Sequence, residues 1–201
     1  MSFDKYLENK KIIIFTLDDV LYPKKDYLLQ VYYLFAEFMA YSEQIDAKKI
    51  IEFMSNEYEE HGADGIYART AKQFGIAEKY ERNFNLLHEN ARLPLKLLLY
   101  KELLSLMQEI VVDRKQLLLL LEGNPAEELN KIKQIEWNGL EQYLKVHFVV
   151  EYGNSSKSFI EELIEEQGVD LKDITMVTAP NQIKEKSVNL GIDCFPVTEI
   201  L

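Results

Sequence analysis

The chain has 201 residues, 47% of them hydrophobic, which suits one domain with a real core and excludes a largely disordered chain. Its 34 acidic residues against 23 basic ones give a net charge of -11, which argues against non-specific binding to phosphate backbones. One cysteine, Cys194, excludes an internal disulfide and any cysteine-rich zinc module.

The opening stretch is mixed in charge, and the apolar run Ile12 to Phe15 is too short for a signal-peptide core. The leucine run Leu117 to Leu121 falls far short of the ~20 residues of a membrane span. The expected location is therefore cytoplasmic, with neither nucleic acid nor membrane as partner. Ile12 to Phe15 read as a buried strand of a parallel sheet. Thr16, Asp18 and Asp19 then lie at its carboxyl end, where open α/β sheets bind ligands.

From about Asp26 to Leu106 apolar residues recur at helical spacing, as in Leu28, Val31, Tyr32, Phe35 and Met39. Several short helices packed on one another are expected. Eight of the 12 tyrosines lie between Tyr22 and Tyr80, and they are assigned to a helical core with a wet rim. The alternative is a ligand or partner face, since tyrosine is favoured at interfaces.

After Lys115 the pattern alternates strand and helix. Leu117 to Leu121 form a strand, and Asn124 with Pro125 starts a helix through Leu129, Ile132 and Ile135. Val146 to Val150 form the next strand, and Ser158 with Glu161 is read as a capping box. Ile174 to Val177, Gln182 to Leu190 and Ile192 to Val197 complete the series as strand, helix and strand, with Gly191 ending the helix. Alternating elements predict an α/β fold: a Rossmann-like parallel sheet core from residues 1–20 and 110–201, with a helical cap of residues 21–109 inserted after the first strand.

Residues 12–23, Ile-Ile-Ile-Phe-Thr-Leu-Asp-Asp-Val-Leu-Tyr-Pro, resemble the opening motif of the haloacid dehalogenase (HAD) superfamily, an apolar strand followed by Asp-x-Asp. Gly123-Asn124-Pro125 with Leu129 to Ile132 resembles the turn and helix after the second motif, and Val177 through Ile192 has the spacing of the fourth. The resemblance implies the HAD-type core, a helical cap and the fold of a small phosphatase.

It also implies where the chemistry should sit. The family's aspartyl nucleophile falls on Thr16, and its general acid/base on Asp18. The phosphate-binding Ser/Thr falls on Leu121, next to Glu122, and the charge-stabilising lysine on Gly153 or Asn154. The two Mg²⁺-binding carboxylates fall on Ala179 and Ile183. Of the six positions only Asp18 keeps the family's residue. No Mg²⁺ or other cofactor is therefore expected, although the family uses the metal.

The reading that follows is a HAD-like pseudoenzyme acting by binding a small ligand or a protein partner. The alternative is an active, nucleotidase-like HAD phosphohydrolase of altered mechanism using Asp18 or Asp19. A third expectation is a homodimer through the cap. Asn154, Ser155, Ser156 and Lys157 are the anion-binding candidates, because backbone N–H groups at a helix start attract anions. His61, His88 and His147 lack ligand spacing and are read as surface or satisfied residues.

Overall fold

The computed structural model describes residues 4–201. The elements run α1 (Asp4–Leu7), β1 (Ile12–Phe15), α2 (Lys24–Glu43), α3 (Ala47–His61), α4 (Ile66–Phe74) and α5 (Glu81–Asn90). They continue through β2 (Leu97–Leu98), α6 (Lys101–Val112), β3 (Gln116–Leu121), α7 (Pro125–Gln134) and β4 (Ile135–Glu136). The last are β5 (Leu144–Phe148), α8 (Ser156–Gln167), β6 (Ile174–Thr178), α9 (Ile183–Leu190) and β7 (Asp193–Pro196). Contacts divide them into two units. One comprises the chain up to Pro23 with Leu98–Pro125 and Ile135–Leu201; the other comprises Lys24–Leu97 and Ala126–Gln134.

The first unit is built on a five-stranded sheet in the order β5-β3-β1-β6-β7. Every neighbouring pair in it is parallel. In register, Ile14 faces Leu118 on one side and Met176 on the other. The three inner strands are buried almost throughout, as an all-parallel sheet covered on both faces requires. Because side chains alternate, Ile12, Ile14, Leu118, Leu120, Ile174 and Met176 share one face. There they join Phe159, Ile160 and Leu163 of α8 and Leu190 of α9 in one hydrophobic cluster. Helix α6 packs on β3.

Several sequence-based boundaries move. The helix from Pro125 stops at Gln134, so Ile135, read as part of it, opens β4. The third expected strand ends at Phe148, not Val150, because Val149 to Tyr152 turn as a 3₁₀ helix. Helix α8 starts at Ser156 because Ser155, not Ser158, is the N-cap: its hydroxyl accepts from the Ser158 N–H at 3.2 Å. Where a capping box was read, Ser158 supplies the capped amide.

The second unit is helical, but its first helices are long rather than short: α2 has 20 residues and α3 has 15. The Asp46 side chain caps α3 by accepting from the Lys48 N–H at 3.0 Å. The core is aromatic. Phe35 meets Phe84 edge-on at 5.1 Å and Tyr67 at 5.8 Å, while Tyr27 and Tyr32 are fully buried. Tyr33 and Tyr41 are exposed, so the tyrosines divide between core and rim.

Helix α7 begins at Pro125 as expected, yet its buried face is not the apolar one. Leu129 is exposed while Glu128, Asn130 and Lys131 are buried. The reason is hydrogen bonding. Asn130 donates to the carbonyls of His88 and Ala91, and Lys131 pairs with Glu127 and Glu128, both at 2.9 Å, over the Tyr27 ring. Among the described residues no helix is long and apolar enough to cross a membrane.

Candidate functional site

The site is built at the carboxyl end of the sheet, entirely within the first unit. Strand β1 delivers Thr16, whose N–H donates to the Val177 carbonyl at 3.4 Å. The Thr16 hydroxyl is buried and has no hydrogen-bond partner among the described residues. The chain then folds back. The Val20 and Leu21 N–H groups donate to the Leu17 carbonyl, and Asp19 adopts φ 58° with its N–H donating to the Tyr22 carbonyl. The Tyr22 hydroxyl donates to the Asp18 carboxylate at 2.8 Å. Asp18 thus braces this turn against a fully buried tyrosine.

Strand β3 ends on buried Leu121 and delivers Glu122 to the rim. After β5 the chain passes through left-handed Gly153 (φ 64°) and Asn154 (φ 60°) into the N-terminus of α8. Ala179, just after β6, is buried, and Ile183 opens α9 half-buried. One turn further along α9 stands Lys186.

Glu122, Asn154, Ser155, Ser156, Lys157 and Lys186 line a cavity of about 390 Å³. Its centre is a charge pair. One oxygen of Glu122 accepts from the Ser156 hydroxyl at 2.6 Å and from the Lys186 ammonium. Burial pushes the Glu122 carboxyl upward, but the hydrogen bonds from Lys186 and Ser156 outweigh it and hold the group below the usual carboxylate range. Lys157 stands at the rim with Glu161 at 3.8 Å.

The residues expected in one site therefore separate. Glu122 meets the four anion-binding candidates in the cavity, whereas Thr16, Asp18, Asp19, Leu121, Gly153, Ala179 and Ile183 do not line it. Lys186 went unread in the sequence. Ile183, Lys186 and Leu190 stand at i, i+3 and i+7, which places the lysine on the inward stripe of α9.

Mg²⁺ needs several oxygen ligands at octahedral positions. The donors do not fit it: among the described residues no three His, Cys, Asp or Glu gather closely enough to hold a metal ion. Thr, Ala and Ile stand at Thr16, Ala179 and Ile183. His88 bonds the Tyr27 hydroxyl at 2.9 Å, His147 bonds that of Tyr152 at 2.8 Å, and His61 lies 3.4 Å from Glu57.

No protein-family profile and no curated protein matches the chain by sequence. Solved structures do match it by fold. A HAD phosphatase from Thermococcus onnurineus superposes with TM-score 0.54 at 16% identity, over 92% of this chain and 84% of that one. An L-2-haloacid dehalogenase from Xanthobacter autotrophicus, with chloropropionic acid covalently bound, gives 0.53 at 13%, over 92% and 76%. A hydrolase from Streptococcus pneumoniae gives 0.52 at 13%, over 93% and 92%. Sheet order, helical region and these superpositions agree: the chain has the α/β fold of HAD-type hydrolases.

Proposed function

We propose that this chain is a HAD-type pseudoenzyme: a hydrolase fold, capped by residues 21–109, that binds a small ligand or protein partner and does not transfer phosphoryl groups. The observation that carries this is Thr16. At the position of the family's aspartyl nucleophile stands a hydroxyl that is buried and has no hydrogen-bond partner among the described residues. A hydroxyl nucleophile needs a base within hydrogen-bond reach to take its proton. Asp18, the one retained motif residue, accepts instead from Tyr22. The side chains at Thr16, Ala179 and Ile183 offer no carboxylate to hold Mg²⁺.

The test is turnover of an aryl phosphate with and without Mg²⁺, together with the effect of Mg²⁺ on the melting temperature. The wild type is expected to show neither turnover nor metal stabilisation. The triple variant Thr16→Asp, Ala179→Asp, Ile183→Asp is expected to gain a Mg²⁺-dependent rise in Tm. Wild-type turnover that disappears in Asp18→Ala sinks the reading and installs the altered-mechanism hydrolase in its place. Light scattering at micromolar concentration tests the homodimer.

A further inference from the structure

The Glu122–Lys186 pair is lopsided. The lysine side chain is 9% exposed and the glutamate 40%. A buried ammonium cannot follow its partner into water, whereas the half-exposed carboxylate can turn outward once another anion takes its place at Lys186. Among the described residues Glu122 is the one ion-pair partner of Lys186.

Two donors suited to any oxyanion converge on the carboxylate, in a cavity also lined by Glu185. The Lys186 ammonium and the Ser156 hydroxyl both point at the same Glu122 oxygen. Ser156 is the first residue of a 12-residue helix. That helix's own ladder opens with the Phe159 N–H on the Ser155 carbonyl, and the Ser158 N–H is taken by the Ser155 hydroxyl. The N–H groups of Ser156 and Lys157 precede both and carry the positive end of the helix dipole.

We propose that Glu122 is a built-in occupant of an oxyanion pocket. Its carboxylate occupies the Lys186 and Ser156 donors that an external phosphate or carboxylate would use, so such a ligand engages them only when Glu122 turns out. Binding of an external anion is then a competition with an internal one. The internal ligand is held at high effective concentration, so the wild type discriminates strongly against weak or dilute anions. The inference rests on the pseudoenzyme reading only in treating the pocket as a binding site.

The experiment is titration of the purified full chain with inorganic phosphate, and in parallel with acetate, at constant ionic strength. It is read by calorimetry and by thermal shift. Glu122→Gln removes the internal anion while keeping its shape, and is expected to bind at least one of the two anions about tenfold or more tighter than the wild type. The double variant Glu122→Gln, Lys186→Met is expected to lose that gain. Should Glu122→Gln fold poorly, Glu122→Asp keeps the charge but withdraws it from Lys186, and a smaller gain is expected. Wild-type affinity in both single variants overturns the proposal, as does a gain that survives loss of Lys186. Phosphate-ester turnover is a separate readout. Hydrolysis would break the pseudoenzyme reading alone, and unchanged anion affinity would break this one alone.

Discussion

The two ends of the parallel sheet both carry charged side chains and use them differently. At the amino end, Lys10 is secured several times over. Its ammonium donates to the carbonyls of Lys172 at 2.8 Å and Ile174 at 3.4 Å, and pairs with Asp193. Lys11 hydrogen-bonds Asp173 at 2.8 Å and holds that carboxyl below its usual range. Lys115 adds a bond to the Leu7 carbonyl at 2.6 Å. These bonds tie the starts of β1, β6 and β7 and the end of α1 together. At the carboxyl end, buried Lys186 is secured, among the described residues, by the Glu122 carboxylate alone. Redundant partners mark a structural tie, whereas a single exchangeable partner beside a cavity marks a place where a ligand can be traded.

The sharpest break in that comparison is Glu122→Ala. It strands the Lys186 ammonium, and a buried charge left alone is costly. A loss of about 2–3 kcal/mol in urea unfolding is expected, below the full cost of a deeply buried pair because Glu122 is 40% exposed. Saturating phosphate is expected to restore part of it. A loss no larger than that of an exposed ion pair would mean that Lys186 finds another partner, and the contrast between the two ends would fall.

Much of the frame was legible because short apolar runs have few alternatives. Ile12 to Phe15 and the start of α7 at Pro125 stand as read from the residues. What escaped depends on side chains meeting from distant parts of the chain. Lys186 and the burial of Lys131 went unread, since a sequence does not reveal that Glu122, 64 positions from Lys186, lies within bonding distance of it, or that Tyr27 underlies Lys131. Capping failed for a related reason. Ser155, Ser156 and Ser158 are all competent N-caps, and only the path out of left-handed Gly153 and Asn154 selects Ser155. The candidate site was legible by position, through the resemblance of residues 12–23, but its residues separate into a braced turn at Asp18 and a cavity at Glu122.

A second prediction sharpens the carboxyl end from the side of Thr16. A buried hydroxyl without a partner is a cost that an isosteric apolar group removes. Thr16→Val is expected to raise stability by about 1 kcal/mol. The matching change at Thr178, whose hydroxyl donates to Gln182 at 3.1 Å, is expected to lower it. A loss at both positions would show that the Thr16 hydroxyl has a partner in solution and would remove the chief support for the pseudoenzyme reading.

A third prediction concerns pH and the edge strand β5. Burial pushes His147 below its ordinary value of 6.5, against the raising pull of Glu151 and Glu166. The folded chain therefore holds this proton less tightly than the unfolded one. The contribution to stability is present above the unfolded pKa and is lost as pH falls through the lowered folded value. Tm is expected to drop as pH falls below about 6.5, the ordinary histidine value. His147→Gln is expected to flatten that slope. An unchanged slope in the variant would show that His147 does not carry it.

The smallest expected effect closes the comparison at the amino end. Asp193 is 75% exposed, and its partner Lys10 keeps two backbone carbonyls when the carboxylate is gone. Exposed ion pairs contribute little, because water and salt screen them and side-chain ordering offsets the attraction. Asp193→Ala is expected to change unfolding free energy by no more than about 0.5 kcal/mol, with no effect on anion binding. The difference between this variant and Glu122→Ala, measured in one buffer, is the quantity that separates a redundant tie from an exchangeable one. If Asp193→Ala cost as much as Glu122→Ala, the two carbonyls would not be sustaining Lys10, and the two ends of the sheet would use their charges alike.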